Sequence, residues 1–322
     1  MFAQIRKISY YLPEKKLSNE SISNDIKGTN RYHASQDEIG SDLAFQAVLK
    51  LFNEYPGIDK NEIDFLLYTT QGLDYFSPSS ASILHHRIGL NESCGVLDIP
   101  VGCAGFVYGL SLAQAIISSG NASKVLFLLG EIPSKAIHED DHDLKMIFGD
   151  AGVACLVESS SFNSIQKFVF GTDGKGFDDL NILRGGTRYP IDASWLKDNG
   201  ALPHGRLAMN GLEILRFSLD KIPKLLQATL LKNDCDFSEI NYFVFHHASL
   251  IIIKSLQRKC AIPADRLIEY FDEVGNTVSC SIPIALKKAD EEGKLKSGDK
   301  IMLLGFGTGY AWAGTIIVWS QH

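Results

Sequence analysis

The feature that most constrains this chain is a phrase it writes twice. Residues 58–64 lead into the apolar run 65–70, and residues 235–241 lead in the same manner into 242–245, each run with the length and composition of a buried strand. The echo goes on in order. Residues 120–124 before the apolar run 125–130 are matched by 296–300 before 301–305, and the small-residue start of 149–157 is matched by 312–319. Repeated order with unequal spacing predicts two α/β halves related by a pseudo-twofold, their sheets packed through a shared layer of helices. A helix beginning at Cys103 and another near Ser279 are assigned to that layer, since residues 104–118 are apolar on nearly every side. The polar cluster Ser159, Ser160 and Ser161 marks the join, giving halves 1–161 and 162–322.

The 322 residues are 45% hydrophobic and 21% charged, enough for a large two-part core. A formal charge of −7 without a basic cluster excludes nucleic acid as the main partner. No apolar run approaches membrane-spanning length and the start has no signal-peptide core, so the expectation is a cytoplasmic protein with no membrane attachment. Six cysteines without a C-x-x-C pair suggest neither a zinc site nor a disulfide framework.

One of those cysteines occupies a corner. Residues 94–110 run from an apolar strand into a helix with Cys103 at the turn, where a helix N-terminus would favour the thiolate; the alternative is a buried small hydrophobe. Gly105 and Gly109 predict a smooth groove open to another backbone. In the second half, the strand 242–245 delivers His246 towards the centre and turns His247 away; a neutral histidine can donate or accept a proton there, although a His-His pair is also common as structure. Asn276 either hydrogen-bonds a developing oxyanion or caps the following helix. Residues 305–309 look like a dinucleotide loop but lie between two strands, so exposed amides serving as an oxyanion hole suit them better. The glycine-rich excursion 171–211 reads equally as the cap of a pocket or as surface loop.

Six stretches together, 101–110, 148–152, 209–211, 246–250, 275–277 and 305–309, resemble the β-ketoacyl-acyl-carrier-protein synthase III family in order and approximate spacing. The resemblance implies the thiolase fold, a five-layer αβαβα arrangement, and a triad of Cys103, His246 and Asn276. His247 stands where the family usually has glutamine. It implies an oxyanion hole from the amides of Cys103 and Gly307, a homodimer along the first half, and no metal or redox cofactor. The reaction implied is acyl transfer from a thioester to Cys103, followed by decarboxylative condensation with a malonyl thioester to give a 3-oxoacyl thioester. Substrates would arrive on coenzyme A or an acyl carrier protein, the latter docking on Arg216, Arg258 and Lys259; Ile251 replaces a common family arginine. Phe76 and residues 77–79 are placed near the pocket mouth or dimer interface on the same basis.

Two departures matter. Around residues 26–31 the chain is short and lacks clear counterparts of the tryptophan and arginine that grip a coenzyme A nucleotide, and residues 138–143 are acidic where the family often has arginine. Phosphates would be repelled there. A carrier-bound donor in a specialised pathway is therefore as open as acetyl-coenzyme A in primary fatty acid synthesis. The other readings are an acyltransferase using the same acyl-cysteine without decarboxylation, a silent partner of an active paralogue, and a nucleotide-binding oxidoreductase.

Overall fold

The computed structural model describes residues 1–18, 29–199 and 205–320. The first half runs β1 (Phe2–Tyr11), β2 (Lys15–Ser18), β3 (Asn30–His33), α1 (Gly40–Glu54), β4 (Phe65–Thr69), α2 (Ser80–Ile88), β5 (Gly95–Ile99), α3 (Gly105–Ser118), β6 (Lys124–Glu131), α4 (His142–Ile147) and β7 (Ala151–Ser160). The second runs β8 (Val169–Thr172), β9 (Leu180–Ile182), α5 (Ala193–Asn199), β10 (Leu207–Met209), α6 (Gly211–Lys232), β11 (Tyr242–Phe245), α7 (Leu250–Lys259), α8 (Phe271–Val274), α9 (Ser281–Glu291), β12 (Lys300–Gly307) and β13 (Ala311–Val318).

The repeat seen in the sequence is a repeat of topology. One sheet has the order β1-β7-β6-β4-β5 and the other β8-β13-β12-β11. In both, the strand after the echoed phrase pairs in parallel with the next long strand, β4 with β6 and β11 with β12, and that strand pairs antiparallel with the last, β7 or β13. Even the fifth position has a remnant, a single parallel bridge from Phe243 to Leu267 beside β11 where β5 lies beside β4.

Each sheet is apolar on both faces, because helices cover both. α1 and α2 pack outside the first sheet through Val48, Leu51 and Leu84. α6 and α7 cover the second through Leu225, Leu226 and Ile253. Between the sheets, Phe106, Leu110 and Ile117 of α3 and Ile284 and Leu286 of α9 are wholly or almost wholly buried. That gives the five layers and puts both predicted helices in the central one. The groove expected at Gly109 is filled by a side chain rather than a backbone: a Cβ there would collide with the Phe127 ring, and one at Gly105 would meet the side chains of Thr69 and Ser279.

Candidate active site

Cys103 lies in the turn before α3. The helix starts at Gly105 behind Ala104, whose own backbone is already helical, and the turn closes through Gly105 N–H donating to the Gly102 carbonyl at 2.6 Å. The residue is only 4% exposed. Contrary to the thiolate expected at a helix start, burial pushes its thiol up to about 12, and the nearby Glu131 charge pushes the same way. Two amides oppose this, that of Thr308 and its own. Desolvation outweighs them, so the resting sulfur is a thiol.

The glycine-rich turn between β12 and β13 reaches across to this sulfur from the other half. A Cβ on Gly307 would press on the Cys103 Cβ and sit 2.7 Å from Sγ, so only glycine lets the turn come this close. An amide that reaches the sulfur from this turn belongs to the next residue, Thr308. Its hydroxyl accepts a hydrogen bond from the Gln71 side chain at 3.1 Å, which ties the turn to the end of β4.

His246 follows β11 and is buried, and burial and the neighbouring His247 lower it to about 3. Its Nδ1 lies 2.8 Å from Ser281 Oγ. That hydroxyl donates its one hydrogen to the Val278 carbonyl at 3.1 Å and already accepts from the His247 amide, so its remaining role towards the imidazole is to accept. Nδ1 therefore carries the proton and Nε2 is a lone pair, buried and without a partner among the described residues. The His247 ring lies against the Ile268 backbone and near the Glu269 charge, both of which favour its protonated form; burial outweighs them and lowers it to about 4.

Asn276 is fixed at every polar atom that could wander. Its backbone bridges to residues 147–149 through Asn276 N–H to the Ile147 carbonyl and Gly149 N–H to its own carbonyl. Its Oδ1 accepts from Val278 N–H at 2.9 Å and Nδ2 donates to the Ala248 carbonyl at 3.1 Å, leaving one Nδ2 hydrogen free of those bonds. Val278 has φ +52°, a left-handed conformation costly for a β-branched residue and held here by that network. Gly275 before it has φ +72° and lies against the Arg31 side chain, where a Cβ would collide.

These pieces meet in space. Cys103, His246, Asn276, Phe306 and Gly307 line one cavity of about 840 Å³. Cys103 also lines a second, of about 600 Å³, with Glu131, Phe148, Leu180, Leu207 and Thr308. The sulfur thus sits at the junction of two cavities. Both β9 and β10 of the glycine-rich excursion contribute buried leucines to the walls, so that excursion does cap the pocket.

The other predicted residues are spread more widely. Arg216, exposed on α6 beside Leu215 of the first cavity's wall, is paired with Glu213. Arg258 and Lys259 stand at the far end of α7 from Ile251, which lines the mouth and is 71% exposed. The acidic stretch contributes Asp141 and Asp143 to that mouth. Of the short region at 26–31, residues 26–28 lie outside the described residues. Arg31 is buried, donating to the carbonyls of Met146, Asn30 and Phe271 over the Phe271 ring. Phe76, 81% exposed, belongs to the rim of the second cavity. Among the described residues no group of three or more histidine, cysteine or acidic side chains is arranged to hold a metal, and no helix is long and apolar enough to cross a membrane.

Sequence reasoning missed Glu131, Ser279, Ser281 and Gln71. Glu131 ends an apolar strand and gives no sign that it is buried, and the serines act on residues far away in the chain.

Two α/β halves of matched topology, closing over a cysteine at the head of the central helix, define a thiolase-fold acyltransferase. Residues 97–174 match the family model 3-oxoacyl-[acyl-carrier-protein (ACP)] synthase III, and residues 230–319 match its C-terminal counterpart. The chain is 32% identical to β-ketoacyl-[acyl-carrier-protein] synthase III 2 of Staphylococcus epidermidis, over 99% of both chains. A crystal structure of a 3-oxoacyl-(acyl-carrier-protein) synthase III superposes with a TM-score of 0.93 at 34% identity, covering 99% of this chain and 100% of that one. The enzyme of that type from Thermus thermophilus gives 0.87 at 31%, with 99% of each chain covered. The chain belongs to the 3-oxoacyl-[acyl-carrier-protein] synthase III family, and it is an acyl-transferring condensing enzyme.

Proposed function

We propose that the chain joins an acyl thioester to a malonyl thioester through an acyl-Cys103 intermediate. The observation that carries this is the position of one sulfur at the meeting of two cavities, the first of which also holds His246 and Asn276. The acyl thioester enters through the first cavity and its acyl group passes into the second. As Cys103 attacks, the N–H groups of Cys103 and Thr308, packed close by Gly307, hold the tetrahedral oxyanion. The carrier thiol leaves with the cysteine proton, for which the unpartnered Nε2 of His246, in the same cavity, is the candidate relay.

In the second half-reaction the malonyl thioester loses carbon dioxide, and the enolate oxygen is hydrogen-bonded by the free Nδ2 hydrogen of Asn276 and by His246. For His246 to donate there, its proton must move to Nε2, and Ser281 permits this by turning its hydroxyl from the Val278 carbonyl to Nδ1. The carbanion then attacks the acyl-cysteine, releasing a 3-oxoacyl thioester and the Cys103 thiolate, which takes a proton from solvent to restore the thiol. No step calls for a metal or redox cofactor.

Exposed Leu97 on the edge strand β5, and exposed Tyr75 and Phe76 at the second cavity's rim, support a homodimer along the first half. Arg216, Arg258 and Lys259 are assigned to an acidic acyl carrier protein as the donor and acceptor vehicle, since a local basic field steers such a partner despite a net charge of −7. Six free thiols suit a cytoplasmic setting.

A second reading, acyl transfer to an alcohol or amine, draws on the bare lone pair of His246, which suits a base better than a donor. Release of carbon dioxide from labelled malonyl thioester separates the two. Condensation predicts release that falls at least about 100-fold in Asn276→Ala while Cys103 acylation persists. Acylation without any release would favour the second reading.

A further inference from the structure

The second cavity holds a carboxyl group that the reaction above does not use. Glu131, at the end of β6, is 2% exposed and lines the same cavity as Cys103. Three donors hold it: Ser279 Oγ donates to its Oε1 at 2.6 Å, Gln71 N–H donates to its Oε2 at 3.2 Å, and the Ser279 backbone N–H favours its charged form as well. Both residues touch the catalytic turn. The Gln71 side chain packs on Gly102 and bonds Thr308, and Ser279 packs on Gly105. The carboxyl is thus positioned as firmly as the cysteine itself.

A carboxyl group has more hydrogen-bonding capacity than these donors fill. As an anion it has about four lone-pair sites against three donors, and as an acid it also has one O–H to give. Much of the surrounding chamber is apolar, with Ile132, Ala136, Phe148 and Val278 in its wall. A plain hydrocarbon chain filling this chamber would bury the carboxyl against methylene groups, which is costly. An acyl group with a polar substituent at the right depth would not.

Resting on the acyl-Cys103 reading, we propose that Glu131 is a specificity-determining residue, and that the acyl group taken by Cys103 carries a hydroxyl or similar hydrogen-bonding substituent which meets the Glu131 carboxyl inside the second cavity. Sites built to hydrogen-bond a substrate hydroxyl reject the analogue lacking it far more strongly than apolar pockets reject a missing methylene. The raised proton affinity of Glu131, up to about 8 through burial, means that it can donate to or accept from a hydroxyl near neutral pH.

The test is acylation of Cys103, followed by intact mass spectrometry, with N-acetylcysteamine thioesters of hexanoic acid and of its 3-, 4-, 5- and 6-hydroxy derivatives. One hydroxylated donor should react at least about 10-fold faster than hexanoyl. Glu131→Leu should remove that preference by raising the hexanoyl rate towards it, and Glu131→Gln, which keeps the shape and a hydrogen-bonding group, should retain part of it. Equal rates for hexanoyl and every hydroxy donor, or a preference unchanged in both variants, overturn the assignment while leaving the acyl-enzyme intact. Absence of label from all five donors overturns the acyl-enzyme reading and this one with it.

Discussion

Cys103 keeps its proton at neutral pH because its surroundings exclude water more effectively than two amides attract charge. Alkylation by iodoacetamide should therefore quicken steadily with pH up to at least pH 10, and a plateau below pH 8 would contradict the protonated resting state. Glu131→Gln, by removing a carboxylate that opposes the thiolate, should speed alkylation at pH 9 by up to about tenfold, one unit of proton affinity. The same buried groups shape stability. His246 and His247 are lowered to about 3 and 4, so below about pH 6.5 the unfolded chain binds protons that the folded one refuses, and stability is lost as pH falls from there. Glu131 acts in the other direction: its folded affinity lies near 8, above the unfolded value, so its contribution turns unfavourable as pH rises through that range. From these three groups the melting temperature peaks near pH 6.5. His247→Gln, removing a buried ring that the folded chain keeps neutral, should flatten the acid limb in thermal scans from pH 4.5 to 9; an unchanged limb would show that His247 does not cause it.

At the scale of elements, the site is a set of turns, that of Cys103 from the first half and those of His246, Asn276 and Gly307 from the second. The turn after β12 needs Gly307, and Gly307→Ala should cut turnover by about 100-fold, the cost of displacing a reacting group by roughly an ångström, with circular dichroism unchanged; full activity would remove the close approach from the account. What could be read in the chain follows from the range of the forces involved. Residues 65–70 and 242–245 announce strands because buried strands are continuous apolar runs, and the repeated order then places α3 and α9 together. Cys103, His246 and Asn276 were legible through their motifs. The protonation of Cys103 was not, since the helix start is local whereas its desolvation comes from both halves. Nor was the Ser281–His246 pair, or Ser279 on Glu131, in which partners 35 and 148 positions apart meet only once the sheets are stacked. That the Thr308 amide reaches the sulfur is likewise a matter of turn geometry that residue types do not disclose.

For the whole molecule, the first sheet ends on β5, an edge strand with exposed Leu97 in its middle. Light scattering should give a dimer of the native chain, and Leu97→Arg should give monomers with impaired turnover, since the exposed rim at Tyr75 and Phe76 would lose its cover; a native monomer would refute the interface. Arg216→Glu should raise KM for carrier-borne malonyl thioester severalfold while leaving the N-acetylcysteamine thioester unaffected, which is the signature of a docking charge outside the chemistry. Both halves converge on Cys103, and one pulse-chase measurement tests the proposed acyl-cysteine most directly. After a pulse of acyl donor, peptide mass mapping should find the acyl increment on Cys103, and a chase of malonyl thioester should remove it with equimolar carbon dioxide and 3-oxoacyl product. An increment on any other residue, or one on Cys103 that malonyl thioester fails to discharge, would contradict the account.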